Sequence, residues 1–376
     1  MTSSYFDVTY LSIDSIQEGV GASQILPLML GLSKLGKKVS LITFEKREPS
    51  PLLVKEIRQH GITWAPQNFG NIGAIGGLQR LNTLRKIIPK SFVIHGRSDV
   101  PTAAAILNFS DAPILWDVRS LWSDQRSHIG TAGWNVMTSR AARSLENLSA
   151  RRASAMSTLT TAIIPILERR HNLLPTLREV IPTCVQTSKF LPSTMPSGQV
   201  TCLLSGTFNN YYDLERTKQI LEAIRKTIDL KVIWARGGES PNHYLRVGED
   251  EIITATHEQM PAIVASSHFG IAICRRNQAD TLAAAVPTKI GEFLASGRPV
   301  IVSEGIGDFD SMFSNSNAGI VVSENDLLSN VAARLKDILA NTKTPSECRE
   351  LAISQFDMEK AIQKYSALYS KMLQGA

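Results

Sequence analysis

Short apolar runs alternate with helical segments along almost the whole chain, and this alternation limits the folds open to it more than any other feature. FDVTYLSI, KKVSLITFE, SFVIHGR and PILWDVR read as strands in the first half. A loop from Asp14 to Gly21 follows the first of them. Ile25, Leu28, Met29, Leu32 and Leu35 then recur at helical spacing, and Gly36 stands where a helix-ending glycine belongs. The Ala-rich TAAAILNF is a helix between the third and fourth strands. The stretch from Met137 to Ala155 has helical periodicity, and MSTLTTA after it reads as a strand or strand end. Strands fed by crossover helices lie parallel and are wound right-handed, so a doubly wound sheet is expected.

FLPSTMPSGQ, residues 190–199, carries two prolines, a glycine and three hydroxyl residues and is the best linker. The alternation restarts after it: VTCLLSG, the helix DLERTKQILEAIRKT, LKVIWARG, the helix HEQMPAIVASS, HFGIAIC, the helix TKIGEFLAS, RPVIVSE and AGIVVS. Asp357 to Leu373 closes the chain as a helix with Ile362, Tyr365, Leu368, Tyr369 and Met372 on one face. The expected architecture is α/β: two doubly wound, Rossmann-like domains, 1–193 and 199–355, followed by a helix over 356–376. Two such domains are expected to face each other across a cleft, with ligands at the carboxyl ends of the strands.

Four cysteines lie far apart, with no C-x-x-C pair and no His-rich tract. That spacing points away from a disulfide framework or a zinc site and towards a reducing compartment. MTSSYFDVTYLSID lacks the basic start and apolar stretch of a signal peptide, and no apolar run approaches the ~20 residues of a membrane span. The expectation is a cytoplasmic protein, peripheral on the inner face of the membrane, with no nucleic-acid partner. Residues 1–195 hold 22 Lys and Arg against 13 Asp and Glu, whereas the remainder holds 18 against 21. A basic first half is suited to an anionic phospholipid surface or a pyrophosphate-linked acceptor; a merely solvated basic face is the other reading. The candidates for that face are Arg80, Arg85, Lys86, Lys90, Arg140, Arg143, Arg151 and Arg152.

PTKIGEFLASGRPVIV, residues 287–302, is the most informative stretch. Pro287, Thr288 and Lys289 make a helix start, whose open N–H groups and positive dipole end suit a diphosphate, with Lys289 adding charge. One turn on, Glu292 is placed to accept from two vicinal hydroxyls, as on a ribose; an ordinary capped helix with a surface glutamate is the plain alternative. In the first half, Asp117 and Arg119 end PILWDVR, and His95 and Arg97 end SFVIHGR. Asp117 would bind hydroxyls or orient a nucleophile, or else simply pair with Arg119; His95 is either functional or structural. Asp124 follows on a loop. Gly19-x-Gly21 lacks the third glycine of a dinucleotide fingerprint. Asp308-x-Asp310 reads as a helix cap rather than a metal site, and Ser120 and Ser123 have no triad partners.

The combination of Pro-Thr-Lys, a glutamate three residues later and Ala-x-Gly-x-Pro-Val-Ile resembles the donor-binding segment of the family-4 retaining glycosyltransferases of the two-Rossmann-domain (GT-B) architecture. GVGASQILPLMLGLSKLGKKVSLITFEK, VIHGRSDVP, WDVRSLWSDQR and LTTAIIPILERRHNLLPTLREVIPTCVQTSKFLP follow in that family's order. The resemblance implies a sugar moved from a UDP-, GDP- or ADP-linked donor onto a saccharide or lipid-linked acceptor, with retention and no metal or other cofactor. It implies an acceptor-side first domain, a donor-binding second domain and a closing helix that returns to the first. Glu292 would hold the ribose, and Pro287, Thr288, Lys289 and Gly206 would surround the diphosphate. Gly19, Gly21 and Ala22 would let the first loop approach the transferred group. Arg275 and Arg276 would neutralise phosphate, since guanidinium binds it bidentately. This chain departs from the family at two places. Ala284 stands where a second glutamate is usual, and SGTFNNYYD stands where an Arg and a Lys are usual, with Arg236, Arg275 or Arg276 as substitutes. An epimerase of the same architecture and an inactive nucleotide-sugar-binding subunit are the alternatives.

Overall fold

In the computed structural model the alternation resolves into two separate parallel sheets. The structure describes residues 5–127, 132–206, 211–236, 250–276 and 279–375. The chain divides into two compact units, Met1–Pro182 with Met358–Ala376, and Thr183–Asp357.

The first sheet contains β1 (Phe6–Leu11), β2 (Val39–Glu45), β3 (Thr63–Asn68), β4 (Ser91–Arg97), β5 (Ile114–Val118), β6 (Ala155–Thr158) and β7 (Leu177–Val180). Their order is β3-β2-β1-β4-β5-β6-β7, so the winding reverses between β1 and β4. The second sheet contains β8 (Val200–Ser205), β9 (Leu230–Arg236), β10 (Glu251–Thr254), β11 (Phe269–Ala272), β12 (Val300–Ser303) and β13 (Gly319–Val322). The order β10-β9-β8-β11-β12-β13 places its reversal between β8 and β11. At each reversal the flanking crossovers leave on opposite faces and open a crevice at the carboxyl ends of the strands.

The strands read from sequence are the inner ones and the apolar edge strand β13; the inner ones are covered by helices on both faces and therefore nearly continuous in apolar residues. Three were not: β3 (TWAPQN), β7 (LREV) and β10 (EIIT), and each is an edge strand. An edge strand pairs on one side only and tolerates polar residues, and even Pro66, whose missing N–H costs no ladder bond there.

The closing helix, Met358–Gln374, belongs to the first unit and buries the apolar face predicted for it. Ile362 lies so close to the helix Leu26–Lys34 that a Cβ on Gly31 would stand 2.1 Å from its Cδ1. The Pro- and Ser-rich stretch after Thr183 packs with the second unit, ahead of which the boundary falls. Arg298, fully buried, donates to the carbonyls of Ser193, Thr194 and Ala265 and to Ser193 Oγ. Arg349 likewise donates to the carbonyls of Thr187, Phe190 and Ala295.

Arg80 is not part of a basic surface. It is buried, donates to the Phe69 and Asn71 carbonyls, and lies over the Phe69 ring at 4.2 Å. Arg143 is tied to Asp124 at 2.7 Å, whereas Arg85, Lys86, Lys90, Arg140, Arg151 and Arg152 are exposed. Among the described residues no helix is long and apolar enough to cross a membrane.

Replacing Arg298 by Met strands the Ser193, Thr194 and Ala265 carbonyls, and a buried acceptor left without its charged donor costs on the order of 3 kcal/mol. Urea unfolding of Arg298→Met is expected to show a lowered midpoint of that size with an unchanged slope.

Candidate functional site

Candidate residues gather at the carboxyl ends of the central strands in both units. In the second, Gly206 follows β8 with φ +89°, a left-handed conformation open to glycine. Pro287 takes the N-cap position of the helix Thr288–Ala295, and no side chain caps that end. Its first N–H groups have no intrahelical acceptor and carry the positive end of the helix dipole. Ile290 through Ala295 are all buried. Phe293 fits against Gly270 of β11, where a Cβ would stand 2.3 Å from its ring. Such packing fixes the direction of the helix and of everything at its start.

Lys289 reaches Gly206, whose Cβ position would lie 4.0 Å from Nζ, and its ammonium sits 4.2 Å above the centre of the Tyr212 ring. Burial pushes the Lys289 amine down to about 8, against the pull of Cys274 and Glu292. Burial also pushes the Glu292 carboxyl up to about 7, opposed by Lys289. Among the described residues no group donates a hydrogen bond to the Glu292 carboxylate. A carboxylate taken from water without donors is unstable as an anion. Glu292 is therefore a buried group rather than the surface glutamate of the plain reading.

The other donor-side candidates differ in placement. Arg275 is exposed; its N–H donates to the Tyr211 carbonyl at 3.0 Å and its Nε to the Tyr212 carbonyl at 3.2 Å. Arg276 pairs with Glu304 at 3.0 Å across an exposed surface, where a salt bridge contributes little. Arg236 ends β9, and its side chain lies outside the described residues. Ala284 is buried. Asp308 occupies the N-cap position of a short helix, and Asp310 accepts from the Gly305 N–H. Among the described residues no group of three His, Cys, Asp or Glu is arranged for a metal ion.

In the first unit the loop after β1 is held by Glu45 at the end of β2. Its carboxylate accepts from Ser15 Oγ at 2.5 Å, Ile16 N at 3.2 Å and Gln17 Nε2 at 3.2 Å. The loop turns through Gly19 at φ +55° and passes Gly21, where a Cβ would stand 1.8 Å from the Ser15 carbonyl oxygen. Ala22 lies in the π-helical turn Gly21–Ile25 that feeds the first helix. This close backbone passage is why a glycine loop stands here.

His95, Arg97, Asp117 and Arg119 do converge, at the ends of β4 and β5. Asp117 is 1% exposed. Ser157 Oγ donates to its Oδ1 at 3.0 Å and the Tyr365 hydroxyl at 3.2 Å; Arg119 stands 3.6 Å from Oδ1, and His95 and Arg97 stand 3.4 and 3.9 Å from Oδ2. Burial pushes the Asp117 carboxyl up, but Arg119, His95 and Arg97 outweigh it and hold it well below the usual carboxylate range. His95 is fully buried, with Nδ1 2.7 Å from the Tyr369 hydroxyl and its ring 4.3 Å from that of Tyr10. Burial lowers its imidazole pKa. Both side chains are thus enclosed by protein partners, and their evident work is to bind the closing helix. The groups of this cluster nearer to solvent are Arg119, 11% exposed, and Asp14, 46% exposed, which accepts from Arg97 Nε at 3.1 Å. Asp124 stands in the first turn of the helix Trp122–Ser127, not on a loop, and is pinned by Arg143 and Arg170 at 2.7 and 2.5 Å.

Sequence reasoning missed Tyr212 and Glu45. Tyr212 lies in SGTFNNYYD, legible only as a departure from the expected Arg and Lys. Glu45 ends a strand and carries no motif.

Two parallel Rossmann-like sheets, each with its own reversal, match the GT-B fold seen in glycosyltransferases of known structure. Sucrose-phosphate synthase from Thermosynechococcus elongatus is similar with a TM-score of 0.74 and 14% identity over 98% of this chain and 99% of that one. Anabaena HepE in complex with UDP and glucose gives 0.69 and 13% over 97% and 100%. WaaG, a glycosyltransferase involved in lipopolysaccharide biosynthesis, gives 0.66 and 12% over 96% and 99%. At these identities the likeness establishes the fold. No protein-family model and no curated protein sequence matches the chain.

One buried acid beside this cluster has a measurable signature. Asp99 opens the helix Asp99–Leu107 after Ser98, a non-glycine residue at φ +68°, and accepts from Trp116 Nε1 at 3.0 Å. Burial pushes its carboxyl up to about 8, with Glu146 adding to the shift and the Trp116 bond opposing it. Between about pH 4 and 8 the folded state then binds the extra proton, and stability falls as pH rises. Asp99→Asn keeps the acceptor and removes the titration. Its thermal midpoint should match wild type near pH 4 and exceed it increasingly towards pH 8.

Proposed function

We propose that this chain is a retaining glycosyltransferase that takes a sugar from a nucleoside diphosphate donor bound on the second unit. The carrying observation is Glu292: a buried carboxylate without a donor among the described residues, one turn beyond Lys289, at the sheet reversal where α/β proteins bind nucleotides. Glu292 accepts from the ribose hydroxyls, while Lys289, Arg275 and the helix start hold the diphosphate. Glycosyl transfer passes through an oxocarbenium-like state as negative charge grows on the leaving phosphate. Fixed cations and backbone N–H groups aimed at that charge lower the barrier, so no metal is required in this scheme. The UDP bound by HepE makes a uridine-linked donor the first to test. The sugar acceptor belongs to the first unit, near Asp14, Arg97 and Arg119. The epimerase alternative needs acid and base groups open to the sugar, which the enclosed His95 and Asp117 do not provide.

The acceptor is proposed to be lipid-linked, presented at an anionic membrane surface. The helix Gly73–Ile87 exposes Ile75 and Leu78 by 62% and 67%, and Ile72 just before it by 89%, followed by exposed Arg85, Lys86 and Lys90. No Asp or Glu falls between Glu56 and Asp99. Apolar side chains flanked by uncompensated cations are what an anionic leaflet binds.

Glu292→Gln keeps the volume and removes a disfavoured buried charge. UDP affinity should fall about tenfold or more as charge-assisted bonds are lost, with no loss of thermal midpoint. Equal losses of both would refute the assignment. Binding of UDP by the wild type should be bell-shaped in pH. It weakens below about 7, where Glu292 is protonated, and above about 8, where Lys289 loses its charge. Release of UDP from UDP-sugars only in the presence of acceptor distinguishes transfer from epimerisation or binding alone. Co-sedimentation with phosphatidylglycerol vesicles should exceed that with phosphatidylcholine and drop in an Ile75→Ser, Leu78→Ser, Lys86→Glu variant. Equal binding to both vesicles would exclude the membrane proposal.

A further inference from the structure

Where the resembled family places an Arg and a Lys after the first strand of the second domain, this chain has SGTFNNYYD. The described end of that segment is Tyr211–Tyr212, and it is fastened to the residues after β11. Tyr212 forms an antiparallel bridge with Cys274, and Arg275 donates its backbone N–H to Tyr211 and its Nε to the Tyr212 carbonyl. The Tyr212 ring lies beneath the Lys289 ammonium at 4.2 Å. One short segment therefore contacts two cations, one through a ring face and the other through a carbonyl oxygen.

Both contacts are with neutral groups. A carboxylate in the place of the ring would fix Lys289 equally well but would cancel its charge and compete with phosphate, as Glu304 does for Arg276. The face of an aromatic ring attracts a cation without a net negative charge, and most strongly where water is excluded. Burial raises the Tyr212 phenol above its ordinary range, which keeps the ring uncharged. The ring contact thus orients Lys289 without itself cancelling the ammonium charge.

We infer that Tyr212 is a positioning residue for the donor diphosphate, holding Lys289 and Arg275 in place of the absent Arg and Lys. This rests on the reading of Lys289 as a phosphate ligand. The test is calorimetric binding of UDP and of uridine to wild type, Tyr212→Met, Tyr212→Phe and Lys289→Ala.

Tyr212→Met should weaken UDP about tenfold while Tyr212→Phe stays within about twofold, because the ring face carries the attraction. Uridine binding should be unchanged in both. In the Lys289→Ala background the Tyr212→Met loss should shrink, since the two side chains act as a unit. Failure of wild type to bind UDP would sink the donor-site reading. A wild type that binds UDP, with Tyr212→Met binding it equally well or losing UDP and uridine alike, would sink the role of Tyr212. Should Tyr212→Met not fold, progressively fluorinated phenylalanine at position 212 weakens the ring face at nearly constant shape. A graded loss of UDP affinity with fluorine count is then expected, and a flat series overturns the inference.

Discussion

Asp117 is the group on which the first unit is organised. A carboxylate this deeply buried is tolerated only when its charge is met by cations and its oxygens by donors. The partners come from separated parts of the chain: His95 and Arg97 from β4, Arg119 from beyond β5, Ser157 from β6 and Tyr365 from the closing helix. Satisfying one anion therefore aligns the carboxyl ends of three adjacent strands and attaches the end of the chain to them. Removing a single partner leaves a buried charge partly uncompensated, so the network acts as a unit.

The second unit contains the opposite arrangement. Lys289 and Glu292 are both buried, and burial shifts both towards their neutral forms. Helix packing accounts for their neighbours, since Phe293 fits Gly270 and Gly291 lies against Val185. It does not account for placing two ionisable side chains at the sheet reversal. Ionisable groups whose charged forms are disfavoured by burial and that stand at a sheet reversal are candidates for ligand contact.

The sequence carried the inner strands because both faces of a parallel sheet are buried and leave a continuous apolar run. The edge strands β3, β7 and β10 carry no such run and escaped for that reason, whereas the edge strand β13 is apolar and was legible. Charged residues were legible as strand-end positions but not as environments. Arg80 and Arg85 look alike in the sequence, yet the first is buried against Phe69 and the second is exposed. The convergence of His95 with Asp117 followed from neighbouring strands, whereas their enclosure depends on Tyr365 and Tyr369, remote in sequence. Glu292 was legible through helix spacing from Lys289. Tyr212 was not, because a ring beneath an ammonium has no fixed spacing.

The first unit is discontinuous in the chain: its last helix is encoded after the entire second unit. During synthesis, β1 to β7 emerge while Tyr365 and Tyr369 have yet to be made. At ribosomal speeds the intervening segment takes on the order of ten to thirty seconds to appear. Throughout that interval His95 and Asp117 lack their tyrosine partners. The nascent protein completes its first module only after the helix Met358–Gln374 has left the ribosome.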